Sequence, residues 1–205
     1  MNSIDKLAEL FSHFPGIGPR QARRFVYYLL HRQGNFTEDL VRAVENLKID
    51  TAQCSVCMRY FPQDLHNTLV CSVCRDVSRD SSMLMVVPRD VDFDALEKSR
   101  FYKGFYFVLG GSLPILEKDP QSRIRIKELL ALVNKKNSEN LKEIILAMNA
   151  NTEGENTSDF LKLELEKIIN NEAKISVLGR GLSTGAELEY ADPDTLKNAL
   201  IHRTE

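Results

Sequence analysis

The chain has no tryptophan, no long apolar run and no excess of charge of one sign, and each absence narrows what it can be. No stretch approaches the roughly 20 apolar residues that span a bilayer, so a membrane helix is not expected. The opening Met1-Asn2-Ser3-Ile4-Asp5 lacks a basic stretch followed by an apolar one. It does not read as a secretory leader, and the cytoplasm is the expected compartment. Lys and Arg total 27 against 29 Asp and Glu, a formal net charge of −2. That balance argues against general adhesion to nucleic acid, so any DNA contact must come from a local basic patch. Low-complexity segments and internal repeats are also missing. What remains, 43% hydrophobic and 27% charged residues over 205 positions, suits a globular protein with one good core or two small ones.

Cysteine is scarce too, but its placement is informative. The four cysteines form two Cys-x-x-Cys pairs, Cys54/Cys57 and Cys71/Cys74, with thirteen residues between the pairs. Two tight turns at this spacing can present four thiolates to one ion, and four soft sulfur ligands in a tetrahedron suit Zn²⁺. The alternative is two disulfides or four free core cysteines, which a reducing compartment disfavours on the disulfide side. Four protein ligands leave no position open for water or substrate. One structural Zn²⁺ per chain, with no chemistry of its own, is therefore expected.

Periodicity divides the chain. Residues 1–50 read as helical: Ile4, Leu7, Ala8 and Phe11 share one face, as do Ala22, Phe25, Val26, Leu29 and Leu30. Leu40, Val41, Val44 and Leu47 give a third helix, with Thr37 as its expected N-cap and Glu38 and Asp39 in the first turn. Residues 51–78 hold the cysteines and little apolar mass, so metal is expected to supply most of their stability. Beyond residue 78, apolar runs at Met83–Val87, Phe105–Leu109, Ile144–Met148 and Ile175–Leu178 alternate with helical stretches at Phe93–Glu97, Arg123–Val133 and Thr157–Ile169. Such alternation predicts a mostly parallel sheet with helices on its faces. Its functional loops should follow the strand ends, at Pro88–Asp90, Gly110–Ser112, Asn149–Glu155 and Gly179–Gly185.

Phe14-Pro15-Gly16-Ile17-Gly18-Pro19-Arg20 sits between the first two helices. Gly-x-Gly permits a hairpin whose backbone N–H groups face outward at a helix N-terminus, a site for phosphate. This is the helix-hairpin-helix pattern, which grips the DNA backbone without reading sequence. With Ala22, Phe25, Val26 and Leu29 turned inward, the other face carries Arg20, Arg24, Tyr27 and His31, with Arg23 at the flank. The plainer alternative is a turn followed by a solvated basic face. Asn149–Thr157 could bind cations through its carboxylates, or be a helix start whose acids favour the dipole. Gly179–Gly185 is glycine-rich, but lacks the Gly-Lys-Ser/Thr ending of a nucleotide-binding loop.

The order of a Pro-Gly-Ile-Gly-Pro hairpin, four cysteines, Thr152-Glu153-Gly154-Glu155 and Leu188-Glu189-Tyr190-Ala191-Asp192 resembles the RecR family of bacterial recombination mediators, from about Leu7 to Arg203. The resemblance implies a multi-domain α/β chain. Its parts would be a helix-hairpin-helix domain for DNA binding and oligomerisation (1–50), a four-cysteine zinc finger (51–78), a Toprim-like domain (79–178) and a C-terminal Walker B-like segment (179–205). It implies DNA contact at Gly16, Gly18, Arg20, Arg23 and Arg24. It implies zinc on Cys54, Cys57, Cys71 and Cys74, and partner contact at Glu153 and Glu155. It further implies a homodimer or a homotetrameric ring that can encircle DNA. Such a ring would work with RecO and RecF to load RecA on single strands coated by single-strand binding protein at gaps.

The chain departs from that pattern in ways that bear on mechanism. Aligned through Asp92 and Glu97, the place of the Toprim general acid/base is held by Pro88, which cannot transfer a proton. Asn149-Ala150-Asn151 replaces Asp-x-Asp, and neutral amides hold Mg²⁺ poorly. Phe107 stands where the family usually has histidine, and Ser183-Thr184 where its glycine-rich loop has proline. A non-enzymatic DNA clamp and adaptor in repair of damaged DNA is the expected function. The alternatives are a Toprim-type DNA-cleaving enzyme and a protein scaffold with no DNA contacts of its own.

Overall fold

A computed structural model describes residues 1–63, 68–169, 173–179, 181–182, 185, 187–201 and 203. The chain forms two compact units, Met1–Thr51 and Ala52–Glu205.

The first unit is helical. Helix α1 (Ser3–Ser12) starts at Asn2, whose side chain accepts the Asp5 N–H at 2.8 Å. Helix α2 (Pro19–His31) follows the glycine hairpin with proline in its first turn, where a missing N–H costs nothing. The two pack through Ala8, Ala22 and Val26, with the Phe11 ring edge-on to Phe25 at 5.9 Å. Leu30 departs from the expected stripe and is exposed. Helix α3 (Phe36–Leu47) begins before the expected cap: Asn35 holds the N-cap position and Thr37 lies inside the helix. The Phe36 ring, edge-on to Tyr28 at 6.0 Å and under the Arg32 guanidinium, anchors that earlier start. The α3 stripe of Leu40, Val41, Val44 and Leu47 is exposed, not buried.

The second unit is built on a four-stranded sheet in the order β4-β3-β5-β6. A small ribbon of β1 (Thr51–Gln53) and β2 (Tyr60–Pro62) and a one-turn α4 (Ser72–Arg75) precede it. The sheet strands are β3 (Asp80–Val87), β4 (Gly104–Val108), β5 (Glu143–Leu146) and β6 (Lys174–Val177), all parallel. Leu84 and Val86 point to one face with Phe107, Ile144 and Leu146, against Leu129 and Val133 of α7 (Ile126–Asn137) and Leu161 and Leu165 of α8 (Thr152–Glu166). Met85, Val87, Tyr106 and Val108 point to the other. That face is covered by Phe93 of α5 (Asp90–Ser99) and by the cysteine segment, through Cys54, Cys57, Phe61, Cys71 and Val73. Strands buried on both faces explain the apolar runs in this half of the chain. The cysteine segment thus shares a hydrophobic core with the sheet, and metal is not its only support.

Two helix boundaries differ from expectation. The helix expected at Arg123–Val133 is split into a short α6 (Pro120–Arg123) and α7. Ile124 is extended between them; Ile124 and Ile126 are both buried, and the Arg125 N–H bonds the Leu109 carbonyl at 2.8 Å. The helix expected from Thr157 instead begins at Thr152. A last helix, α9 (Pro193–Ile201), closes the chain.

Candidate nucleic-acid interface and metal centre

The hairpin needs its glycines for different reasons. Gly16 has φ +77°, a left-handed conformation that side chains with a Cβ rarely adopt, and the Ile17 N–H closes the turn onto Phe14 O at 3.0 Å. Gly18 occupies the N-cap of α2 and supplies no side-chain cap. The first-turn amides are left to an outside acceptor, next to the positive end of the helix dipole. Arg20 and Arg24 lie on the exposed face; Arg24 reaches only Gln21, at 3.4 Å. Arg23 is different: its Nη2 bonds Asp5 Oδ1 of α1 at 2.7 Å. His31 Nδ1 donates to the Tyr27 carbonyl, 2.7 Å away. The hairpin therefore gathers Gly16, Gly18, Arg20 and Arg24 at one accessible place, while Arg23 arrives already paired.

The four cysteine sulfurs lie within 4.8 Å of one another, and Cys57 and Cys71 are 3.7 Å apart. A tetrahedron with metal–sulfur bonds of about 2.3 Å has an edge of about 3.8 Å, so the donor set fits one ion. None of the four is in a disulfide. The Cys71 N–H points at Cys54 Sγ at 3.4 Å, and Met58, at φ +62°, closes the knuckle that turns Cys57 back. Crowding couples the thiols: hydrogen bonds from Cys57, then Cys71 and Cys74, pull Cys54 well below its ordinary value. The reciprocal bonds with Cys54 and Cys71 push Cys57 up. A cation at the centre removes this conflict by taking all four as thiolates. The knuckle is also tied to the sheet. Cys57 O accepts the Val108 N–H at 2.8 Å, and Arg125 donates to both Met58 O and Val108 O at 3.0 Å.

At the C-terminal ends of the strands, Pro88 is buried, and its carbonyl accepts the Gly110 N–H at 2.9 Å. Asn151 caps α8, its Oδ1 taking the Gly154 N–H at 2.8 Å. The Asn149 carbonyl lies so close to Gly154 that an added Cβ would collide with it. Asp92 pairs with Arg89 at 3.2 Å, and Glu97 with Arg79. Asp90 accepts the Tyr60 N–H at 2.8 Å and so holds β2 to the end of β3. Thr152–Glu155, expected either as a cation-binding loop or as a helix start whose acids favour the dipole, is the first turn of α8, with Glu153 and Glu155 exposed there. Among the described residues the cysteines form the only cluster of potential metal ligands.

Sequence reasoning missed the roles of four residues. Asp5 meets Arg23 across eighteen positions. Arg125 joins knuckle to strand, and Asn156 with Thr157 holds the loop after β4. Asp5 and Arg125 stand in no motif, Asn156 and Thr157 lie in the Asn149–Thr157 stretch without marking this role, and each acts through a tertiary contact. Of the glycine-rich loop, Arg180, Ser183 and Thr184 lie outside the described residues. Downstream, Asp192 caps α9 through Thr195, whose hydroxyl holds that carboxyl below its usual range.

Comparison with known proteins accords with this layout. The pattern described as "RecR, helix-hairpin-helix" matches residues 4–48, "Toprim domain" residues 82–179 and "RecR, C-terminal" residues 181–204. "Recombination protein RecR" of Chloroflexus aggregans is 37% identical over 202 residues, covering 98% of this chain and 93% of that protein. The proteins of the same name from Staphylococcus saprophyticus and Staphylococcus haemolyticus are each 38% identical, over 98% of this chain and 96% of theirs.

Proposed function

From the premise that the chain belongs to the RecR family of recombination proteins, we propose that it is a non-enzymatic DNA clamp and adaptor in recombinational repair. It works with RecO and RecF to help load RecA on single strands coated by single-strand binding protein at gaps. The observation that carries this reading is the uncapped start of α2 between Gly16 and the exposed Arg20 and Arg24. Free amides at a helix start with exposed guanidinium groups beside them suit a phosphate backbone. Binding is salt-dependent and nearly independent of sequence. A grip this small is weak alone; a homodimer or homotetrameric ring multiplies it through effective concentration. The exposed Leu40, Val41, Val44 and Leu47 stripe of α3 supports self-association through the same domain.

The four cysteines hold structural Zn²⁺, favoured over other ions by an all-sulfur tetrahedral set. The segments 1–50, 51–78, 79–178 and 179–205 act as DNA-binding and oligomerisation domain, zinc finger, Toprim-like platform and C-terminal segment. Glu153 and Glu155 face RecO. The DNA-cleaving alternative is disfavoured because Pro88 and Asn151 carry no carboxylate, and Asn151 is engaged as a helix cap. No described helix is long and apolar enough to cross a membrane, and the proposed work on DNA suits a cytoplasmic protein.

The test is a titration of a labelled gapped duplex, at fixed low salt, with the full chain and with the Arg20→Ala/Arg24→Ala variant. Loss of about tenfold or more in affinity is expected from two charge-assisted phosphate contacts. Equal binding rejects the hairpin site. Absence of binding by the unsubstituted chain makes it an adaptor that reaches DNA only with its partner.

A further inference from the structure

The segment that follows β4 is fastened more firmly than a surface connection needs to be. Leu113 is buried, and its N–H donates to the hydroxyl of the fully buried Thr157 at 2.8 Å. That hydroxyl donates in turn to Glu153 O at 2.6 Å. Asn156 Nδ2 donates to both Leu113 O and Pro114 O, at 3.1 and 3.2 Å. Beyond them the Glu117 N–H closes a turn onto Pro114 O at 3.1 Å. The Glu117 side chain is itself held by the Asp119 N–H at 3.0 Å and by Arg123 at 2.8 Å. Both ends of the turn are therefore fixed. Its outermost side chains are Ile115, 62% exposed, and Leu116, 88% exposed.

Neither side chain is needed by the core, yet the chain spends a buried threonine and an asparagine on holding them out. A rigid apolar knob loses little conformational freedom on entering a pocket, and that is how a small contact gains affinity. The same helix turn that grips the knob carries the exposed Glu153 and Glu155. Asn156 reaches Leu113 O and Pro114 O, and the Thr157 hydroxyl links Leu113 N–H to Glu153 O, so the knob and the turn that carries the two carboxylates are direct neighbours. This charge disfavours a DNA backbone at the two carboxylates. It also disfavours a symmetric contact with a second copy, which would set like charges against each other.

We propose that Ile115 and Leu116, flanked by Glu153 and Glu155, form a docking knob for a partner protein presenting an apolar pocket rimmed by lysine or arginine. This rests on the reading that the chain acts through RecO, and adds the apolar anchor to the acidic contact. Thr157 and Asn156 are positioning residues of the knob.

The experiment measures RecO binding to the full chain, to Leu116→Ser and to Glu153→Gln/Glu155→Gln, each across a salt series and with its melting temperature and mass checked. Leu116→Ser is expected to weaken binding about tenfold with an unchanged salt slope, because an anchor acts by burial. The glutamine pair should flatten the salt slope, because a charged rim acts by screened attraction. If the unsubstituted chain binds and the glutamine pair weakens it while Leu116→Ser does not, the knob is rejected and the RecO reading stands. If Leu116→Ser lowers the oligomeric mass instead, the surface belongs to a second copy and the proposal is overturned. Failure of the unsubstituted chain to bind RecO rejects the partner reading, and the knob with it.

Discussion

The glycine hairpin before α2 and the C-terminal ends of β3 and β5 are both places where a fold can offer ligands to phosphate or metal, and this chain treats them in opposite ways. At the hairpin the helix start is left uncapped, and Arg20 and Arg24 stay exposed beside it. At the strand ends the equivalent opportunity is used up internally. Pro88 is buried, Asn151 closes the first turn of α8, and Asn149 is packed against Gly154. The difference teaches where to look for each activity. An uncapped helix start beside exposed cations is suited to an anion, whereas an asparagine engaged as a helix cap and a buried proline offer little to a cation.

The comparison can be broken most severely at the metal. Cys57→Ser, or removal of the ion by a strong chelator, should destabilise the second unit by several kcal/mol, since structural metal binding is folding free energy. The knuckle that covers Val108 and anchors Arg125 would be lost with it. Helical circular dichroism and amide exchange of residues 1–51 should persist while protection of β4 falls. A soluble, well-folded, metal-free variant would contradict this. Next in size is Gly154→Ala. Its new Cβ runs into the Asn149 carbonyl, so the turn that joins β5 to α8 must shift, at about 1–3 kcal/mol. An unchanged melting temperature would show that the turn is not rigid.

Smaller effects sharpen the contrast. Asn151→Ala should cost about 1 kcal/mol through loss of the cap, whereas Asn151→Asp keeps an acceptor for the Gly154 N–H and should cost little. Thermal melts with and without Mg²⁺ separate a cap from a metal ligand: stabilisation of the unsubstituted chain by Mg²⁺ would place a cation at the strand ends after all. Smallest is Asp5→Asn. Arg23 is now half-neutralised by Asp5, and an exposed pair of this kind is worth about 0–1 kcal/mol. Freeing it should tighten DNA binding by up to about fivefold and steepen the salt slope by about one contact. An unaltered slope would leave Arg23 outside the DNA site.

Much of the fold was legible because it rests on local repetition. Ala8, Ala22 and Val26 fall on the faces that periodicity predicts, and the strands at Met83–Val87 and Phe105–Leu109 are found within a residue or a few of their expected bounds. The errors have local causes as well. Thr37 looks like a cap, but the Phe36 ring finds Tyr28 and starts the helix sooner. Arg123–Val133 has helical spacing, but burial of both Ile124 and Ile126 requires an extended residue between α6 and α7. At Thr152–Glu155 the sequence left loop and helix start both open, because a capped first turn is itself polar; the deciding signal was Asn151, three residues before Gly154. The local geometry was legible where a motif carries it, in the turn at Gly16 and Gly18 and the clustering of the cysteines, and illegible where distant residues meet.

By itself the sequence determined the class of fold, the four cysteines that could hold a metal ion and the place of the hairpin, because each follows from spacing along the chain. Four cysteines in two turns, a Gly-x-Gly at a helix start and apolar runs between helices have few other uses. Only the tertiary structure decided that Arg23 is held by Asp5, that the knuckle closes the edge of β4, and that Thr157 and Asn156 hold out Ile115 and Leu116. Each of these contacts joins residues more than fifteen positions apart. Charge, hydrogen bonding and burial act over ångströms in space, and the order of residues does not record which of them folding will bring together.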